Sequence, residues 1–290
     1  MLEENKIVNG LWIGNKLGNL ELLTIHSFIN FGHDFYLWIY EPIKTPLPPQ
    51  VFVRDANEII PKENIFNYKH SNQYGHGKGS YAGFSDIFRY ALLYKYGGWW
   101  VDMDVTCLSP LNYEYPFVFR KHHVFDTVGN IMKCPKNSIL MKLCYEEAYS
   151  SINSENKDWN KPIIILNKYI KELSLQNYII DFTNEDKWLF VKKLLKSEHQ
   201  LPSHLKVIHW VNEEWRRHKI KKEYAIPGSF YYLQLSKYNI NTLNINLIDK
   251  FILSFKLSNI YSLWLYLIKP QSWNFILKSI LNKFFSKKTI

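Results

Sequence analysis

The stretch GFSDIFRYALLYKYGGWWVDMDV, Gly83 to Val105, decides the reading of this chain. Its apolar residues recur at helical spacing and predict a helix over 81–96, stopped by Gly97-Gly98. Trp99-Trp100-Val101 is a short apolar run that predicts a buried strand over 99–102. Asp102 and Asp104 stand at the end of that strand. Asp86 and Arg89, three residues apart on the helix, share a face. Unpaired carboxylates leaving a buried strand are costly, and a divalent cation removes that cost. Carboxylates are hard oxygen ligands, and Asp-x-Asp at a strand end suits a cation that keeps positions open for phosphate oxygens.

Outward from this segment the signals alternate. Residues 7–13 (IVNGLWI) read as a strand, 17–31 as a helix ended by Gly32, and 35–40 (FYLWIY) as a second strand. Strand, helix, strand within about forty residues predicts a βαβ unit and a parallel sheet. In open α/β sheets ligands gather outside the carboxyl ends of the strands, where Asp102 and Asp104 fall. Residues 46–78 read as irregular, 116–120 and 127–133 as strands, and 138–150 and 160–173 as helices. Signals from 181 to 234 are mixed.

With 290 residues, 47% of them hydrophobic, the chain can bury a full core. The expected division is a main domain over 1–250 and a basic, aromatic-rich helical appendage over 251–290, which holds six lysines and no acid. The net charge of +10 favours phosphorylated ligands, anionic membranes or nucleic acid. There is no zinc-finger spacing, recognition-helix cluster or RNP-like motif, so nucleic acid fits poorly. Cys107, Cys134 and Cys144 lack framework spacing and read as free thiols of a reducing compartment. The start, MLEENKIVNG, has acids where a signal peptide carries positive charge. The longest apolar run, 263–268, is too short to span a bilayer. The expected location is the cytoplasm, with residues 251–290 either at the inner face of the membrane or packed as a helical subdomain on the main domain.

Ser85-Asp86-x-x-Arg89-Tyr90, Leu93-Tyr94, Gly97-Gly98 and Asp102-x-Asp104 together resemble the signature of DXD-containing sugar transferases. The pattern is similar to glycosyltransferase family 32, with its yeast mannosyltransferases and bacterial capsule and lipooligosaccharide enzymes, and to the glucosylating domain of clostridial toxins. The resemblance implies a GT-A fold, a Rossmann-like mixed sheet with helices on both faces. It implies Mn²⁺ or Mg²⁺ on Asp102 and Asp104, a nucleotide-sugar donor (UDP-sugar over GDP-sugar), and a glycan or lipid-linked oligosaccharide acceptor. Asp86 and Arg89 are implied at the donor sugar, arginine suiting phosphate through its planar donor fork.

Four further segments are candidates. Trp12 in Leu11-Trp12-Ile13-Gly14 resembles the first-strand tryptophan of the toxin domain, which stacks on uracil; the alternative is a core tryptophan. Residues 8–10 depart from the family's usual lead-in. His209-Trp210 resembles the family's late histidine segment and implies His209 as an extra metal or diphosphate ligand; Gly228-Ser229 is the other candidate for that place. Asn130 is implied near the acceptor. Gly75-His76-Gly77-Lys78-Gly79-Ser80 fails the P-loop pattern, because Gly79 follows Lys78, and reads as a loop at the donor mouth.

By resemblance the chain is expected to transfer a sugar with retention of anomeric configuration, in bacterial surface polysaccharide or lipopolysaccharide synthesis. The alternatives are a toxin-like glucosyltransferase acting on a host protein and an inactive membrane-associated scaffold.

Overall fold

The computed structural model describes residues 1–72, 77–243 and 245–267. Its elements run β1 (Ile7–Trp12), α1 (Asn19–Asn30), β2 (Asp34–Ile39), β3 (Val51–Asp55), α2 (Ala82–Tyr96), β4 (Gly98–Val101), β5 (Val105–Cys107), β6 (Val118–Lys121) and β7 (Thr127–Cys134). They continue α3 (Ile139–Ser151), α4 (Lys161–Glu172), β8 (Ile179–Ile180), α5 (Trp188–Lys196), β9 (Val207–His209), α6 (Asn212–Arg217), α7 (Phe230–Lys237), α8 (Leu247–Lys256) and α9 (Asn259–Leu267).

The main sheet has seven strands in the order β3-β2-β1-β4-β7-β6-β8. β3, β2, β1 and β4 are parallel, and β7 turns antiparallel between β4 and β6. This is the mixed α/β architecture of a GT-A fold, as expected from the sequence. The centre is apolar on both faces: Val8, Leu37, Trp99, Trp100 and Ile131 are all buried. One core gathers α2, α3 and α4 around Phe88, Leu92 and Trp100, and another gathers α1 and β5 around Phe28 and Val101. Helices therefore cover both faces, as continuous apolar strands require.

One strand lies inside the stretch expected to be irregular. β3 adds to β2 in parallel as a sheet edge, and most of its residues are exposed, so VFVRD lacks the apolar alternation that would mark it. Asn9, in the stretch 8–10, is tied inside the sheet: its Nδ2 donates to Trp99 O and its Oδ1 accepts from Trp38 Nε1.

The turn from α2 to β4 needs glycine. Gly97 has φ 70°, and a Cβ on it would lie 2.4 Å from the Lys136 nitrogen. Gly97 thus ends the helix in the left-handed region and lets the β7–α3 connection pass close by. All three cysteines are free and buried. Among the described residues no helix is long and apolar enough to cross a membrane.

Beyond the main sheet, β5 and β9 form an antiparallel pair in which Val105 faces His209. That ladder brings a late segment of the chain beside the end of β4.

Candidate active site

Asp102 and Asp104 follow the carboxyl end of β4 and line a cavity of about 590 Å³. α2 runs along one side and presents Ser85, Asp86 and Arg89 to it. Trp12, at the end of β1, and Asn130, on β7, line other parts of the same wall. Gly79 and Ser80 also reach the rim, while Gly75 and His76 of that loop lie outside the described residues.

Arg89 joins the two acidic pieces. Its Nη2 lies 3.0 Å from Asp86 Oδ1 and 3.0 Å from Asp102 Oδ1. Trp100 Nε1 donates to the same Asp102 oxygen at 2.7 Å. Arg89 is nearly fully buried, so this is no solvated surface pair. Burial raises the Asp86 carboxyl to about 6, against the pull of Arg89. Burial also raises Asp102, with Arg89 opposing.

Asp104 belongs to a second group. Its Oδ2 lies 3.2 Å from His209 Nε2 and accepts the Asn212 amide at 2.8 Å. The other ring nitrogen of His209, Nδ1, lies 2.6 Å from Asp186 Oδ1. Arg120, fully buried, donates from Nη2 to that same oxygen at 2.7 Å. Burial works against the charge on Asp104, but His209 holds its carboxyl below the usual range. Burial likewise disfavours the imidazolium, yet Asp186 and Asp104 outweigh it and raise His209 to about 10.

The residues singled out in the sequence therefore converge: Trp12, Asp86, Arg89, Asp102, Asp104, Asn130 and His209 all line this one cavity. Gly228-Ser229 is placed elsewhere. Ser229 is buried and its Oγ caps α7 by accepting the Tyr232 amide. Trp210 is also buried, its Nε1 donating to Thr106 Oγ1. Asp186 and Asn184 escaped the sequence reading because residues 181–187 carry no period and no motif, and Arg120 because its strand was read without a site role.

Residues 44–119 match the family described as glycosyltransferase sugar-binding region containing DXD motif. This supports a glycosyltransferase, and proteins with this region generally use a nucleotide sugar and a divalent metal. The sugar-binding region contains Asp86, Arg89, Asp102 and Asp104; Trp12, Asn130, Asp186 and His209 lie outside it. Among solved structures, the chain resembles PaToxG Glycosyltransferase at 13% identity and a TM-score of 0.38, covering 60% of this chain and 73% of that one. It resembles a cysteine-to-serine mutant of a transferase at 10% identity and a TM-score of 0.39, covering 61% and 87%. No curated protein sequence matches.

The donor set of the cavity fits such ligands in two respects. Among the described residues no three His, Cys, Asp or Glu side chains are gathered into a preformed metal nest. Yet Asp104 Oδ2 and His209 Nε2, 3.2 Å apart, are near the spacing of adjacent ligands around an octahedral cation, about 3 Å for bonds of about 2.1 Å. A carboxylate on Nδ1 is also the usual way of orienting a histidine whose Nε2 binds metal. Second, Asn130 Nδ2 and Arg89 Nε are buried without a hydrogen-bond partner among the described residues. Orphaned donors in a cavity wall await a ligand acceptor.

Proposed function

We propose that this chain moves a sugar from a nucleotide-sugar donor, UDP-linked in preference to GDP-linked, to a hydroxyl of a glycan or lipid-linked oligosaccharide, with retention of configuration. The observation that carries the reading is that two groups, Asp86–Arg89–Asp102 and Asp104–His209, line one cavity. Asp102, Asp104 and His209 would hold Mn²⁺ or Mg²⁺, His209 giving up its Nε2 proton to do so. Bound there, the cation supplies Lewis-acid stabilisation of the departing diphosphate.

The chain's own residues do the rest. Arg89, held by two carboxylates, directs its remaining N–H groups at donor hydroxyls and phosphate. Asp86 accepts from sugar hydroxyls. Trp12 offers a flat face for the base, and Asn130 a free donor toward the acceptor side. The acceptor oxygen bonds to the anomeric carbon as the sugar–phosphate bond breaks, and its proton passes to the departing phosphate oxygen.

Retention is supported by the state of the acids in the wall. Glu21 pairs with Lys222. Glu213 accepts from Arg216 and from the Gly77 amide. Asp186 is held by Arg120 and His209. Among the described residues that line the cavity these acids are each paired, and the departing phosphate serves as the proton acceptor. The test is the product: an α-linked donor should give an α-glycoside, read from the anomeric proton coupling by NMR. A β-linked product would sink the retaining mechanism.

A second reading concerns place. On α8 and α9 the side chains of Leu247, Ile248, Phe251, Ile260, Leu263 and Trp264 are each at least half exposed, while Leu253 and Leu257 anchor the pair to the core around Trp210 and Trp215. Large apolar residues exposed on amphipathic helices, in a segment with lysines and almost no acid, suit the interface of an anionic bilayer. This favours an acceptor presented at a membrane surface, as in surface polysaccharide or lipopolysaccharide assembly.

A further inference from the structure

We infer that Asn184 and Asp186 are positioning residues that set His209 for cation binding beside Asp104, an inference that rests on the metal-dependent reading above. Asn184 takes hold of the His209 main chain at both ends. Its Oδ1 accepts the His209 amide at 2.7 Å, and its Nδ2 donates to the His209 carbonyl at 3.0 Å. Asp186, two residues on, takes hold of the ring through Nδ1 at 2.6 Å.

Arg120 locks the two holders together. It donates to Asp186 Oδ1 at 2.7 Å, to the Asn184 carbonyl at 3.0 Å and to Asn130 Oδ1 at 3.0 Å. The strand register places the backbone, since Val105 faces His209 and Thr183 bridges Val207. What register leaves open is rotation of the imidazole about its side-chain bonds. Asp186 closes that freedom, and Nε2 comes to rest 3.2 Å from Asp104 Oδ2.

A purely structural role explains this poorly. Burying an arginine and a carboxylate carries a desolvation cost that well-packed apolar side chains avoid. The network is instead aimed at one atom, Nε2, in the cavity wall. Outer partners of metal-ligating histidines characteristically change metal affinity by about 10–100-fold when removed.

The test is Mn²⁺ binding by the full chain in the presence of UDP, read as loss of the free-ion EPR signal. Asp186→Asn should weaken Mn²⁺ binding by about 10–100-fold, and Asp186→Glu should recover part of it. Asn184→Ala, which leaves the Arg120–Asp186 pair intact, should shift affinity the same way and covers the case in which Asp186→Asn misfolds. In a His209→Ala background neither change should add a further loss, because both act through His209. Unchanged affinity in the folded variants, or losses that add fully to that of His209→Ala, would overturn the assignment. A wild-type chain that binds no Mn²⁺ would instead overturn the metal-dependent reading, and this inference with it.

Discussion

Gly129 lies directly beneath the guanidinium of Arg89: a Cβ built on Gly129 would sit 2.0 Å from Arg89 Nη1. Only a hydrogen at that position lets Arg89 reach Asp86 and Asp102 together.

Gly129→Ala should therefore push Arg89 out of its shared position. Overpacking of this kind costs about 1–3 kcal/mol of stability, and donor turnover should fall more than the loss of folded protein explains. Arg89→Lys removes the planar fork while keeping the charge. Losing one charge-assisted hydrogen bond of about 1.5–3 kcal/mol corresponds to a fall in kcat/KM of roughly tenfold to a hundredfold. Steady-state kinetics of UDP-sugar hydrolysis beside thermal melts separates the two effects. Wild-type kcat/KM in both variants would reduce Arg89 to a structural ion pair.

Removal of the cation should stop the reaction. EDTA is expected to abolish donor hydrolysis, and added Mn²⁺ or Mg²⁺ to restore it. Asp104→Asn should be inactive yet folded, because its side-chain oxygen can still accept the Asn212 amide seen at 2.8 Å. Full activity in either the chelated protein or the variant would refute the site.

The acidity of Asp86 should show in the pH profile. Burial raises its carboxyl to about 6, above the ordinary 3.8. In the folded chain it therefore takes up a proton as the pH falls through 6, losing its charged contact with Arg89 and its capacity to accept from two sugar hydroxyls. Donor KM should rise below pH 6 in the wild type and stay flat across that window in Asp86→Asn. Stability moves the other way. A raised carboxyl favours the folded state while protonated, so this contribution is full below about pH 4 and is lost as the pH climbs through 6. An Asp86→Asn profile that follows the wild type would assign the inflection to another group.

Membrane docking makes a separable claim. Phe251 is 74% exposed and Trp264 50%, so replacing both with Asp removes apolar contact without opening the core. The wild type should float with anionic liposomes and the double variant should not. High salt should weaken binding, since each basic residue near such a surface contributes about 1 kcal/mol. Equal flotation of the two proteins, in either direction, would reject the α8–α9 face.

The sequence by itself determined the parallel sheet and one half of the site. β1, α1, β2, α2 and β4 are built by local periodicity and a glycine stop. Asp86, Arg89, Asp102 and Asp104 are legible because helix spacing and strand order act over a few residues. β3 escaped because an exposed edge strand has no buried face to pattern it. His209 was marked only by resemblance, and the tertiary structure decided what it and Asp186 meet. His209 meets Asp104 because β9 pairs with β5, and Asp186 meets His209 because a loop with no period of its own crosses behind that pair. Such contacts depend on strand register and on the burial of Arg120, which donates to Asn130 on β7 and to Asn184 and Asp186 of one later segment. Long-range pairing leaves no spacing to read, since the residues that touch are neighbours only after the chain has folded.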